Sequence, residues 1–174
     1  MYSFLDRLAA PCYHSSLIDI LGLENISFMN FLDLLQLLVD FGLVVLIWIV
    51  QLIIYPSFLY YDSNSLGKWH KIYTGRITVI VAPLMIAQIA LAAYLLVIKG
   101  DFAIFEIIAL VFISVNWLIT MFVFIPLHEQ IDTDSDDRKV QLRLVYFNWW
   151  RVLLFCLVFM VHMIHFMTTD FQSI

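Results

Sequence analysis

Four stretches of this 174-residue chain contain no Asp, Glu, Lys or Arg: Phe41 to Tyr61, Ile77 to Ile98, Ile107 to His128 and Val152 to Thr169. A helix rises 1.5 Å per residue, so each is about long enough for the ~30 Å hydrocarbon core of a bilayer, which takes roughly 17–25 residues. The expected fold is all-α, a polytopic membrane four-helix bundle. With 63% hydrophobic and 13% charged residues, a soluble domain of this length could not cover its apolar surface. The lipid bilayer is therefore the first expected partner, around one domain at 31–170 preceded by a leader at 1–30.

Four crossings put both termini on one side. Of nine Lys and Arg residues, Lys68, Lys71 and Arg76 fall in or beside the first connection, and Arg138, Lys139, Arg143 and Arg151 in or beside the third. The positive-inside bias then makes connections one and three cytoplasmic and the termini external. The net charge of −5 comes largely from Glu129, Asp132, Asp134, Asp136 and Asp137, which read as a solvated acidic loop and argue against a nucleic-acid partner. The first residues lack the basic cluster and apolar core of a signal peptide. Cys12 in the leader and Cys156 inside the fourth stretch imply neither a disulfide framework nor a thiolate metal site.

In the leader, Ser16 to Leu23 suits an interfacial helix or a loosely packed tail. The first crossing starts near Phe31, carrying Asp33 and Asp40 into the bilayer, or near Phe41, leaving them wet; the sequence permits both. Pro56 marks its inner end or a kink. Ser63, Asn64 and Ser65 are capping residues that start the second helix, which contains Pro83. The short link at Lys99, Gly100 and Asp101 makes helices two and three antiparallel neighbours. The third helix is expected to end around Pro126, and the fourth to run from about Leu142 to Met167. Each cytoplasmic connection follows a proline and precedes an aromatic-rich, Arg-containing helix start.

At ~100° per residue, Asp33, Gln36, Asp40, Val44 and Gln51 project within a sector of roughly 80° on the first helix, with Tyr55 beside it. His70, Thr74, Val81 and Gln88 align on the second helix, and Asn116 with Thr120 on the third. Asn148, Arg151, Phe155, Val158, His162 and His165 form a stripe on the fourth. Polar groups facing lipid are costly, so these stripes should turn inward as one seam. Gln51, Gln88 and Asn116 also suit plain interhelical hydrogen bonding, and the tryptophans suit packing and the interfacial belt.

The titratable groups fall into two layers. The inner one holds Gln51, Tyr55, His70, Arg76, His128, Asn148 and Arg151. With Gln88, these are the candidate pocket for an anionic or quinone-like hydrophobic small molecule, Arg76 or Arg151 compensating charge and a histidine moving protons. The outer layer holds Asp33, Asp40, Glu106, His162 and His165. His162 and His165 stand i, i+3 on one face, and with Asp40 they are a competent ligand set for a transition metal, or else interfacial hydrogen-bonding residues. Haem is a further cofactor to consider, because only His70 and His128 offer an interhelix histidine pair at one depth. Phosphate-loop, metalloprotease, nucleophile-elbow and haem-attachment motifs are lacking.

The run Trp48-Ile-Val-Gln51-Leu-Ile-Ile-Tyr55-Pro56-Ser-Phe58 is followed by Trp69-His70, Tyr73, Arg76 and Ala82-Pro83, then Pro126-Leu-His128 and Asn148-Trp149 to Arg151. On these residues the chain resembles a widespread group of small bacterial four-helix membrane proteins, distantly similar to the anthrone oxygenase-like membrane family. The resemblance covers roughly Phe41 to Val158. It implies the four-helix fold, a multi-pass place in the bacterial inner membrane and, by its members with an assigned activity, oxidation of polycyclic anthrones; it carries no catalytic residue over. Two expectations follow from residues and resemblance together. One is a membrane protein that binds or oxidises a hydrophobic small molecule in the inner pocket. The other is an accessory or structural subunit, in a homo-oligomer or with a membrane partner. A proton-coupled carrier is a third and more distant reading.

Overall fold

The computed structural model describes residues 29–100 and 104–170. Cys12, the Ser16 to Leu23 segment and Asp101 lie outside them. The chain divides into two compact units, Met1–Leu35 and Gln36–Ile174. Residues 29–35 of the first are helical. The second contains the cores and the polar clusters.

The described residues form four helices and no strand: α1 (Met29–Tyr60), α2 (Ser63–Lys99), α3 (Ile104–Thr133) and α4 (Arg138–Asp170). All four are long and apolar enough to cross a membrane, which fits a multi-pass membrane protein. Large apolar side chains such as Ile53, Val79, Val97 and Phe122 point outward, an arrangement suited to lipid and poorly suited to water. α1 is already helical at Met29, so Asp40 lies well inside the helix.

Helix ends follow local chemistry. Asp62 caps α2, its carboxylate accepting from the Ser65 amide at 3.3 Å and the Ser65 hydroxyl at 3.1 Å. At the far end Gly100, with φ of +56°, takes a backbone conformation that a side chain would strain, and α2 stops there.

One proline fares differently from expectation. The third helix does not end around Pro126 but continues to Thr133. Immediately before the proline, Thr120–Phe124 widens into a π-turn, and the Ile125 amide bonds the Thr120 carbonyl five residues back. The same device precedes Pro56: Val50–Ile54 is a π-turn whose following amide, of Tyr55, bonds Val50. A proline has no N–H for the carbonyl four residues earlier and its ring crowds that carbonyl, so widening the turn relieves both problems without breaking the helix. The proline echo between connections thus has a structural counterpart. Each extra residue also rotates the turn beyond it, and beyond the two π-turns lie Tyr55, fully inside, and His128.

Around those turns the main apolar core packs Phe58, Leu66, Phe124, Ile131 and Leu144. Phe58 places its ring against His70, Tyr73 and Tyr55, with centroids 5.5–5.8 Å away. A smaller core of Ala92, Ala109, Ile113 and Val158 lies elsewhere in the bundle, where small residues let helices approach closely.

Candidate functional site

Two polar clusters sit inside the bundle. The first is near the connections that join α1 to α2 and α3 to α4. His70 of α2 is fully buried, and its two ring nitrogens meet Asp132 Oδ1 at 2.7 Å and His128 Nδ1 at 2.8 Å. His128 in turn meets the Tyr55 hydroxyl through Nε2 at 3.3 Å. An ionised carboxylate only accepts, so His70 Nδ1–H donates to Asp132. In a neutral His70 the Nε2 atom then accepts from His128 Nδ1–H, and His128 Nε2 accepts from Tyr55. The result is one directed chain, Tyr55 to His128 to His70 to Asp132. Its last member is 34% exposed, so the chain leads from the interior to water.

The inner end of that chain opens on a cavity of about 260 Å³ among all four helices. Ile47, Val50, Val81, Met85, Trp117 and Phe155 supply apolar wall, while Tyr55, His128 and Arg151 gather at its polar part. Thr78 of α2 and Met121 and Ile125 of α3 line the cavity and are themselves exposed, so it reaches the bundle surface between those helices. Arg151 is buried, its guanidinium carbon 4.6 Å from the Phe124 ring centroid and 5.9 Å from that of Phe155. The ring faces hold the cation, yet its Nε–H has no hydrogen-bond partner among the described residues. A buried cationic donor left unmet beside a cavity suits a ligand oxygen.

The second cluster takes a residue or two from each helix. Asp40 of α1 accepts from Gln88 Nε2 at 2.8 Å, from Gln36 Nε2 at 3.2 Å and from His162 Nδ1 at 2.6 Å. His162 Nε2 faces Glu106 Oε2 across 3.8 Å, and neither atom has a hydrogen-bond partner among the described residues. Glu106 is also bonded by the Lys99 ammonium, which lies 2.7 Å from His165 Nε2. All these side chains are buried.

The residues expected to share the inner pocket separate into four places. Tyr55, His128 and Arg151 line the cavity and His70 stands behind them. Gln51 and Asn148 form a clamp between α1 and α4, Asn148 Nδ2 donating to Gln51 Oε1 at 2.9 Å and Gln51 Nε2 to the Val145 carbonyl at 3.3 Å. Arg76 is exposed on α2, and Gln88 belongs to the Asp40 cluster. Of the residues considered for a metal, Asp40 is bonded to the Nδ1 of His162, whereas His165 lies against Lys99 and Glu106. The histidine pair considered for haem is bonded nitrogen to nitrogen, leaving no room between the rings for iron and its macrocycle.

Two members of the clusters escape the sequence reading. Asp132 belongs to an acidic run that reads as a solvated loop, although i, i+4 spacing places it over His128 once α3 runs past Pro126. Lys99 reads only as part of a short link between helices. No family model, curated protein or solved structure matches the chain.

Proposed function

We propose that this membrane protein binds a hydrophobic small molecule bearing a carbonyl or phenolic oxygen, its rings in the 260 Å³ cavity and its oxygen at Tyr55, His128 and Arg151. The observation that carries this is the meeting of an apolar cavity with the buried, unmet Nε–H of Arg151. The volume lies just under the ~300 Å³ at which drug-sized pockets begin, so it suits two or three fused rings, or a headgroup whose tail leaves between α2 and α3. The chain from Tyr55 to Asp132 supports a further step: the Tyr55 oxygen takes a proton from the bound molecule as its own proton moves to His128, and a proton leaves at Asp132. Polycyclic anthrones, implied by the sequence resemblance, are one candidate class; quinones are another. By the distribution of Lys and Arg, Asp132 faces the cytoplasm of a bacterial inner-membrane protein.

Trp117 lines the cavity, so its fluorescence is the readout. A short-tailed benzoquinone and anthrone, titrated separately into detergent-solubilised protein, should each quench it saturably, and Trp117→Phe should remove the quenching. Arg151→Met should weaken binding about tenfold or more, given ~1.5–3 kcal/mol for a hydrogen bond to a charged group. Equal affinity in Arg151→Met, or no saturable quenching by either probe, would overturn the proposal and favour an accessory subunit.

A further inference from the structure

We infer that the first turns of α4 carry a site for the headgroup of an anionic phospholipid, with Lys139 and Arg143 at its phosphate and Leu142, Tyr146 and Phe147 along its glycerol and upper acyl chains. These five side chains line an open groove of about 430 Å³, and all five are exposed. Lys139, Arg143 and Phe147 stand four residues apart, and Leu142 and Tyr146 take the i+3 and i+7 positions, so the helix repeat gathers them on one side of α4. Val140, Gln141, Leu144 and Asn148 are buried on the opposite side.

Charge and shape single out the occupant. Asp134, Asp136 and Asp137 precede the groove by only a few residues, yet Asp134 Oδ1 accepts the Asp136 amide at 3.1 Å and Asp137 Oδ1 the Lys139 amide at 2.9 Å. Among the described residues neither the Lys139 ammonium nor the Arg143 guanidinium forms an ion pair with a carboxylate. Two cations open at the rim of an apolar groove complement a phosphodiester, which the Arg fork meets with paired N–H groups. Past the groove the same face of α4 continues as Trp150, Leu153, Leu157 and Met160, all exposed. Charge at the start of the span, then aromatic rings, then aliphatic side chains is the order of groups in a phospholipid entering a bilayer. A soluble anion engages only the cations, whereas a two-chained lipid engages the whole face. The groove is separate from the cavity, and its test does not depend on any ligand of the cavity.

The experiment is native mass spectrometry of delipidated protein in detergent, titrated separately with dioleoyl phosphatidylglycerol and dioleoyl phosphatidylcholine, whose chains match and whose net charges differ. The first phosphatidylglycerol should bind about 20-fold more tightly than the first phosphatidylcholine, and Lys139→Gln and Arg143→Gln should each lower that preference about fivefold, the effect of one near-surface cation on an anionic lipid. The double variant should abolish it. Both positions are exposed, so the core is undisturbed by either change. Lys68→Gln combined with Lys71→Gln, at exposed cations of α2 outside the groove, should leave the preference unchanged. Equal binding of the two lipids by wild type overturns the proposal, as does an equal loss in the Lys68 and Lys71 variant, which marks charge attraction spread over the surface. Displacement of phosphatidylglycerol by millimolar inorganic phosphate also overturns it, assigning the two cations to a soluble anion.

Discussion

The Asp132 chain and the Asp40 cluster contain the same kinds of side chain, carboxylates and imidazoles in direct contact, yet they meet solvent differently. Asp132 is a third exposed, while Asp40 and Glu106 are almost wholly buried. A carboxylate that touches water can take up or lose a proton at little structural cost, so the first assembly is suited to exchange. In the second, any uncompensated charge is confined to a low-dielectric interior, and charges there must be matched by neighbours. What separates a proton path from a charge-balanced site in this bundle is therefore access, set by where each helix ends, more than residue type.

The largest predicted effect attacks the buried side of that contrast. Asp40→Ala removes the acceptor for three donors and leaves His162 without its partner, and thermal or denaturant unfolding in detergent should show a loss of about 3–5 kcal/mol. By contrast Asp132→Ala, at a third exposed, should lose no more than ~1 kcal/mol. Similar losses at the two positions would erase the distinction between an open and a closed cluster.

How far the sequence foretells this arrangement depends on the backbone between the residues. The four spans and the inward turn of Gln36, Asp40 and Gln51 are legible, because an apolar stretch and a 3.6-residue period survive any detail of packing. Asp132 is hidden by Pro126. A proline in a helix reads as a stop, and only the π-turn before it keeps residues 128 and 132 on one continuing face. The expected pocket also takes in Gln88, whereas it bonds Asp40 at the other cluster. Lys99 is unreadable for a different reason: its partners lie on α3 and α4, and nothing in local spacing announces contacts that only tertiary packing creates.

A middle-sized effect should appear at His70, which joins the buried and exposed halves of the open chain. His70→Leu cuts the path between Tyr55 and Asp132 without touching the cavity wall. In weakly buffered solution, the proton released when anthrone binds should fall to near zero, while benzoquinone affinity stays within about threefold, under ~0.7 kcal/mol. Undiminished proton release would show that protons leave by another route. Between the two clusters, the Gln51–Asn148 clamp carries no charge, and a double-mutant cycle with Ala at both positions should give a coupling near the ~0.6 kcal/mol typical of interhelical hydrogen bonds in membranes.

The smallest effect belongs to a carboxylate at the opposite extreme of exposure. Asp62 caps α2 beside the first connection, fully in solvent, and the Ser65 hydroxyl and then the Ser65 amide hold its carboxyl below the ordinary carboxylate value. Both bonds are stronger to the ionised form. The cap's contribution is therefore complete above the carboxyl's unfolded value and is lost as pH falls through the lower folded one. Amide hydrogen exchange at Ser65 and Leu66, measured down a pH series and corrected for intrinsic rates, should show the first turn of α2 loosening across that acid window. Asp62→Asn should flatten the dependence, since an amide keeps an acceptor but has no proton to gain. The interior chain beyond His70 should not respond to this substitution, because the cap and the buried imidazole share a helix but no hydrogen bond. A change in proton release on anthrone binding in Asp62→Asn would mean that the exposed end of α2 and the open cluster act together, and solvent access at Asp132 would no longer suffice to explain exchange.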